Sequence, residues 1–130
     1  MGVGGFDADE FGNRNVYISG PMSGRPLNNA AAFCEAHAHL KMAGVGYVYD
    51  PVMSWFGEED DEMFDSYHYM RVSVNELSKS VQDGVRPFYD YVILLPGWED
   101  SLGSRTEAIV AAACGVATVK YEDIDWGDGR

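Results

Sequence analysis

Residues 89–114 constrain the chain more than any other stretch. They read Tyr-Asp-Tyr-Val-Ile-Leu-Leu-Pro-Gly-Trp-Glu-Asp-Ser-Leu-Gly-Ser-Arg-Thr-Glu-Ala-Ile-Val-Ala-Ala-Ala-Cys. Residues 91–95 form a continuous apolar run, aromatic and β-branched at its start. Such a run predicts a strand buried on both faces, as in a parallel sheet. Pro96-Gly97 ends it. Residues 104–114 then read as a helix. Ser104 suits the N-cap, and Glu107 three residues later completes a capping-box pattern. The sum is strand, loop, helix, with the loop at the carboxyl end of the strand. Open α/β sheets bind their ligands at that edge.

Glu107 is the residue to weigh within this unit. Its helical neighbours Val110, Ala111 and Cys114 are apolar. The carboxylate therefore starts the stripe that faces the sheet. A carboxylate there costs free energy unless something uses it. Two roles stay open on this pattern: a helix cap, or a functional group whose ionised form the helix N-terminus favours.

The rest of the chain repeats the alternation. Residues 15–19 read as the first strand, followed by a loop with two glycines, Gly20 and Gly24, before Arg25 and Pro26. That loop lacks the Gly-Lys-Ser/Thr of a P-loop, and Gly44-Val-Gly46 lacks the third glycine of a dinucleotide fingerprint. Asn28 or Asn29 is expected to cap the next helix, with Phe33, Ala36, Leu40 and Ala43 as its buried stripe and Gly44 at its end. Residues 47–49 are the second strand, closed by Asp50-Pro51. Residues 67–80 predict a helix with Met70, Val74, Leu77 and Val81 inward, and residues 117–121 a last strand. The expected fold is α/β: a three-layer α-β-α domain over 15–121, flavodoxin- or Rossmann-like, on a mostly parallel sheet of four or five strands. Residues 1–14, rich in glycine and acid, read as a mobile arm, and residues 122–130 as an acidic tail.

Composition bounds the partners. Nine basic against twenty-one acidic residues give a net charge of −12. That disfavours nucleic acid or an anionic membrane as partner, while a small phosphate can still be held by backbone N–H groups and one Arg. Cys34 and Cys114 have neither metal nor redox spacing and read as small buried hydrophobes of a reduced, cytoplasmic protein. No apolar run is long enough to span a membrane. His37 and His39 are two apart on one helix, so they point to different sides and cannot share a metal. The acids among residues 58–62 lack an EF-hand spacing and read as a solvated loop. Neither metal nor organic cofactor is expected. Trp55, Phe56 and Phe64 flank that loop, as a lid, as core, or as a contact for self-association.

Two motifs carry a family resemblance. Tyr17-Ile-Ser-Gly-Pro-Met-Ser-Gly-Arg25 and Leu94-Leu-Pro-Gly-Trp-Glu-Asp-Ser-Leu-Gly-Ser-Arg-Thr-Glu107 resemble the first loop and the catalytic loop of nucleoside 2-deoxyribosyltransferase-like proteins. The chain is most similar to a poorly characterised phage and bacterial group within that superfamily, and similar too to the 2′-deoxynucleoside 5′-phosphate N-hydrolases. The resemblance spans roughly residues 15–120. It implies that Glu107 is a nucleophile for the anomeric carbon and that Tyr17 positions it. It further implies that Gly20, Pro21, Met22, Ser23, Arg25, Ser73, Gly97, Trp98, Ser101 and Gly103 line the substrate and phosphate site. It implies a homodimer or larger homo-oligomer.

Position 101 lies six residues before the nucleophile. The transferases carry Asp there, for a free 5′-hydroxyl, and the monophosphate hydrolases carry Ser. Ser101-Leu-Gly103 follows the second pattern, so a deoxynucleoside 5′-monophosphate, modified forms included, is the expected substrate of an N-glycosidase. The chain departs from the pattern where the family has Asp two residues after the Arg of Tyr69-Met-Arg71: here stands Ser73. Asp90, at the start of its strand, is at the wrong edge to replace it, and Asp65 and Asp83 are the other acids to consider. A non-catalytic nucleotide- or signal-binding protein and a base-exchanging deoxyribosyltransferase are the alternatives.

Overall fold

A computed structural model describes residues 5–22, 24–54, 66–82 and 84–127. The elements in chain order are β1 (Phe6–Asp7), β2 (Asn15–Ser19), α1 (Ala30–Met42), β3 (Tyr47–Tyr49), α2 (Pro51–Ser54), α3 (Ser66–Leu77), β4 (Tyr91–Leu94), α4 (Leu102–Ala113), β5 (Ala117–Lys120) and β6 (Ile124–Asp125). Four strands form a wholly parallel sheet in the order β3-β2-β4-β5. The chain starts in the middle, moves outward to β3, returns to β4 and continues to β5. This is the doubly wound order of flavodoxin-like sheets.

Strand alternation divides the core into two layers. Val16, Ile18 and Ile93 pack with Phe33, Ala36 and Leu40 of α1. Tyr17, Val92 and Leu94 pack with Leu77 of α3 and Ala111 of α4. A period of two along β2 and β4 thus meets helices on both sides, which explains the unbroken apolar runs. The architecture is three-layer α/β.

The two ends of the chain depart from the expected arm and tail. β1 pairs in parallel with β6, joining Phe6 to Ile124. Phe11 is fully buried, and Trp126 stacks on it with ring centroids 5.7 Å apart. The apolar area of Phe6, Phe11, Ile124 and Trp126 closes the α1 side of the sheet, and that burial outweighs the glycine and acid around it.

Two smaller expectations also change. Cys34 and Cys114 are exposed. Cys34 sits one residue past the buried stripe at Phe33, and Cys114 is the C-cap of α4. Asn29 occupies the cap position of α1 but makes no side-chain cap; its Nδ2 donates to the Pro21 carbonyl at 2.9 Å. Leu27, Asn28 and Asn29 are all left-handed, with φ of 48°, 56° and 66°. A run of three such residues costs about 1–2 kcal/mol per residue for an ordinary side chain and less for Asn.

Candidate active site

The site sits where the doubly wound sheet changes direction. Ser19 and Leu94 are register partners at the carboxyl ends of β2 and β4. From there β2 leads to α1 on one face, and β4 leads to α4 on the other. The divergence opens a crevice at the sheet edge, the position where doubly wound folds bind ligands.

α4 delivers Glu107 to it. The helix does not begin at Ser104. A 3-10 turn over Trp98–Asp100 takes up the chain first, and Ser101 becomes the N-cap, its side chain accepting from Ser104 N at 3.2 Å. Glu107 is therefore six residues past the cap, too far along to close a capping box. Instead Ser104, Glu107 and Ala111 make the buried stripe of α4. Glu107 is 2 % exposed. Tyr17 Oη donates to its Oε2 at 2.8 Å, and Ser19 Oγ donates to its Oε1 at 2.5 Å. The carboxylate is thus fixed by two strand hydroxyls on the same face of β2, not by its own helix. Sequence reasoning missed Ser19, although a serine two residues from Tyr17 in a buried strand must share its face.

The surroundings set the protonation states. Burial pushes the Glu107 carboxyl above its ordinary value, and the Ser19, Tyr17 and Ser73 hydroxyls pull against that. Burial, and then the negative charge of Glu107, holds the Tyr17 phenol protonated. Tyr17 is braced by Tyr49, stacked at 5.0 Å, and by the edge of Tyr89 at 5.5 Å. The Ser73 hydroxyl is fully buried with no hydrogen-bond partner of full geometry, yet it lies near enough to favour ionised Glu107 and Tyr69. Tyr69 is the second site residue that sequence reasoning missed. Its hydroxyl donates to Met22 Sδ at 3.2 Å, tying α3 to the loop after β2.

The two glycine-bearing loops touch each other. Gly97 has φ of 90°, and a Cβ there would lie 2.7 Å from a guanidinium nitrogen of Arg25 and 3.3 Å from the Pro21 ring. Arg25 is thereby placed over the turn that leads to Ser101. Gly20 packs closely: a Cβ there would stand 2.8 Å from Leu95 Cβ. Because that contact is close to the backbone, no side-chain rotation relieves it. Gly20→Ala is expected to cost about 1–3 kcal/mol, read as a lower urea midpoint at unchanged slope. Gly103 has ordinary room: a Cβ there would stand 3.8 Å from both Met70 Sδ and Ser101 Oγ. The Trp98 indole N–H and the Ser104 hydroxyl are buried without partners among the described residues.

Asp90 stands at the edge of the sheet that the sequence assigns it. Asp90 accepts from Asn15 N at 2.9 Å, at the amino edge of the sheet. His37 pairs with Asp50 at 2.9 Å, and His39 Nδ1 lies 2.6 Å from Tyr121 Oη, so the two histidines do serve different sides. Among the described residues no group of three His, Cys, Asp or Glu could hold a metal ion, and no helix is long and apolar enough to cross a membrane. Ser23, Asp65, Asp83, the acidic loop and the aromatics Trp55, Phe56 and Phe64 fall outside the described residues. Surface hollows beside Glu35, His39 and Trp126, and beside Trp98, Ala108 and Lys120, are not lined by Glu107. The site is marked instead by a buried, hydrogen-bonded carboxylate at the switch point, with orphaned polar atoms around it.

No curated protein and no solved structure matches the chain significantly. One family does match, over residues 14–121, which takes in the whole four-stranded sheet and every residue of the candidate site. The chain belongs to the family described as Domain of unknown function (DUF4406).

Proposed function

We propose that the protein is an N-glycosidase that cleaves the base–sugar bond of a deoxynucleoside 5′-monophosphate, with Glu107 as nucleophile. The observation that carries this reading is the position of Glu107: buried at the switch point, six residues past the helix cap, and gripped by Tyr17 and Ser19. A carboxylate so held has no structural duty as a cap, and its desolvation is a cost that chemistry at a developing positive centre would use. Glycosidic cleavage has such a centre, an oxocarbenium-like carbon that a carboxylate can stabilise and trap. The α4 N-terminus supports the choice of a phosphate: Ser101, the first-turn N–H groups and Arg25 on Gly97 offer neutral and cationic donors. Tyr17 and Ser19 would hold the carboxylate in attacking orientation, as second partners hold any nucleophile.

The experiment is a panel of deoxynucleoside monophosphates and the matching nucleosides, with free base followed by chromatography. Release of base from a monophosphate, faster than from its nucleoside, is the expected result. Binding by calorimetry without release of any base would move the protein to the second reading, a non-catalytic nucleotide-binding module. Ser73 at the family's acid position is the observation in favour of that alternative. Base exchange in place of hydrolysis would appear in the same assay when a free acceptor base is added.

A further inference from the structure

A departing base needs a proton, and the residue that should supply it is missing. Where the resemblance implies Asp, α3 carries Ser73, whose aliphatic hydroxyl is too weak an acid to protonate a leaving nitrogen. The polar side chains that act on the Glu107 carboxyl among the described residues are the hydroxyls of Ser19, Tyr17 and Ser73. Tyr17 and Ser19 donate their hydrogens to the carboxylate itself. Tyr69 stands one helical turn before Ser73, on the same face of α3, near enough to feel the charge of Glu107. Unlike an aliphatic hydroxyl, its phenol leaves a delocalised conjugate base when it gives up its proton.

We propose that Tyr69 is the acid–base residue of the reaction, standing in for the absent carboxylate. This rests on the N-glycosidase reading above. The Tyr69 hydroxyl donates to Met22 Sδ at 3.2 Å. A thioether is a weak acceptor, so exchanging it for a base nitrogen arriving along the β2 loop costs little. In the first step a Glu107 oxygen bonds the anomeric carbon and the carbon–nitrogen bond breaks. Its electron pair stays on the base nitrogen, which takes the Tyr69 proton. In the second step water attacks the same carbon, the ester bond returns its electrons to the Glu107 carboxylate, and the water's proton passes to the Tyr69 phenolate. The sum is nucleotide plus water giving base plus sugar phosphate.

The electrostatics follow the same sequence. In the free protein burial, and then the Glu107 charge, keeps Tyr69 protonated, while the Ser73 hydroxyl favours the phenolate. Esterification removes the Glu107 charge and leaves Ser73 in place. Tyr69 therefore becomes a stronger acid as the nucleophile is consumed, and a base again when it is released.

Tyr69→Phe keeps the ring and removes only the hydroxyl, and thermal unfolding checks that it folds. Two substrates are compared: the deoxynucleoside monophosphate that wild type cleaves fastest, and its analogue with a base that leaves without a proton. For a purine that analogue is the N7-methylated form, and for a pyrimidine the 5-nitro form. Phe is expected to slow release of the ordinary base by about a hundredfold or more. First-turnover release of the activated base should fall much less, because its departure needs no proton from Tyr69. Equal losses on both substrates, or no loss on either, overturn the role of Tyr69 alone. A wild type that cleaves neither substrate overturns the N-glycosidase reading and this assignment together.

Discussion

Glu107→Gln should leave a folded protein that binds nucleotide and releases base at least about a thousandfold more slowly than wild type. An amide cannot attack the anomeric carbon or balance its developing charge. The volume is nearly unchanged, and one Gln oxygen can still accept from Tyr17 or Ser19. One hydroxyl loses its acceptor, at a cost of about 1 kcal/mol.

The stability of this variant depends on pH in a definite direction. Burial raises the folded-state pKa of Glu107 above its unfolded value. The stability this group contributes is therefore present below the unfolded pKa and is lost as pH rises through the folded one. Gln does not titrate. The Tm of Glu107→Gln relative to wild type should accordingly rise from about pH 4 toward neutrality, by differential scanning calorimetry. The same raised pKa should shift the acid limb of wild-type activity upward, because the proposed nucleophile acts only when ionised. An activity equal to wild type in the Gln variant removes Glu107 from the chemistry.

Local patterns are readable from the chain, and pairings between distant residues are not. The apolar run at 91–95 and the inward stripe of α4 are set by neighbours a few residues apart, so strand, loop, helix and the inward-facing Glu107 all follow from periodicity. The cap is harder. Ser101 and Ser104 both suit an N-cap, and Glu107 happens to lie three residues after the second. Only the 3-10 turn at Trp98–Asp100 shows which serine the helix uses. That one displacement decides between a capping glutamate and a spare buried carboxylate. Ser19 is legible in principle, since it shares a face with Tyr17.

The β1–β6 pairing joins residues more than a hundred positions apart, and no local window holds both strands. The glycine and acid near each end dominate the composition, while Phe11 and Trp126 determine the packing. The contact of Arg25 with Gly97 likewise links two loops that are separate in sequence.

Ser101→Asp should cut affinity for a deoxynucleoside monophosphate by roughly 5- to 700-fold, while affinity for the nucleoside changes by less than about threefold. The substitution is mild for the fold. Ser101 is the N-cap of α4, accepting from Ser104 N, and Asp caps as well as Ser does. Its charge also suits the positive end of the helix dipole. Tm should hold or rise slightly. What changes is the field at the helix N-terminus. A neutral hydroxyl beside open N–H groups accommodates a phosphate, whereas a carboxylate within about 4 Å of it repels it by about 1–4 kcal/mol, depending on how much water remains between them. Each 1.4 kcal/mol is about tenfold in affinity, which sets the range. Isothermal titration of the matched pair, nucleoside and monophosphate, on wild type and variant makes the comparison internal. A loss shared equally by both ligands would point to a distorted loop. An unchanged monophosphate affinity would place the phosphate elsewhere, leaving Arg25 and its seat on Gly97 as the next position to alter.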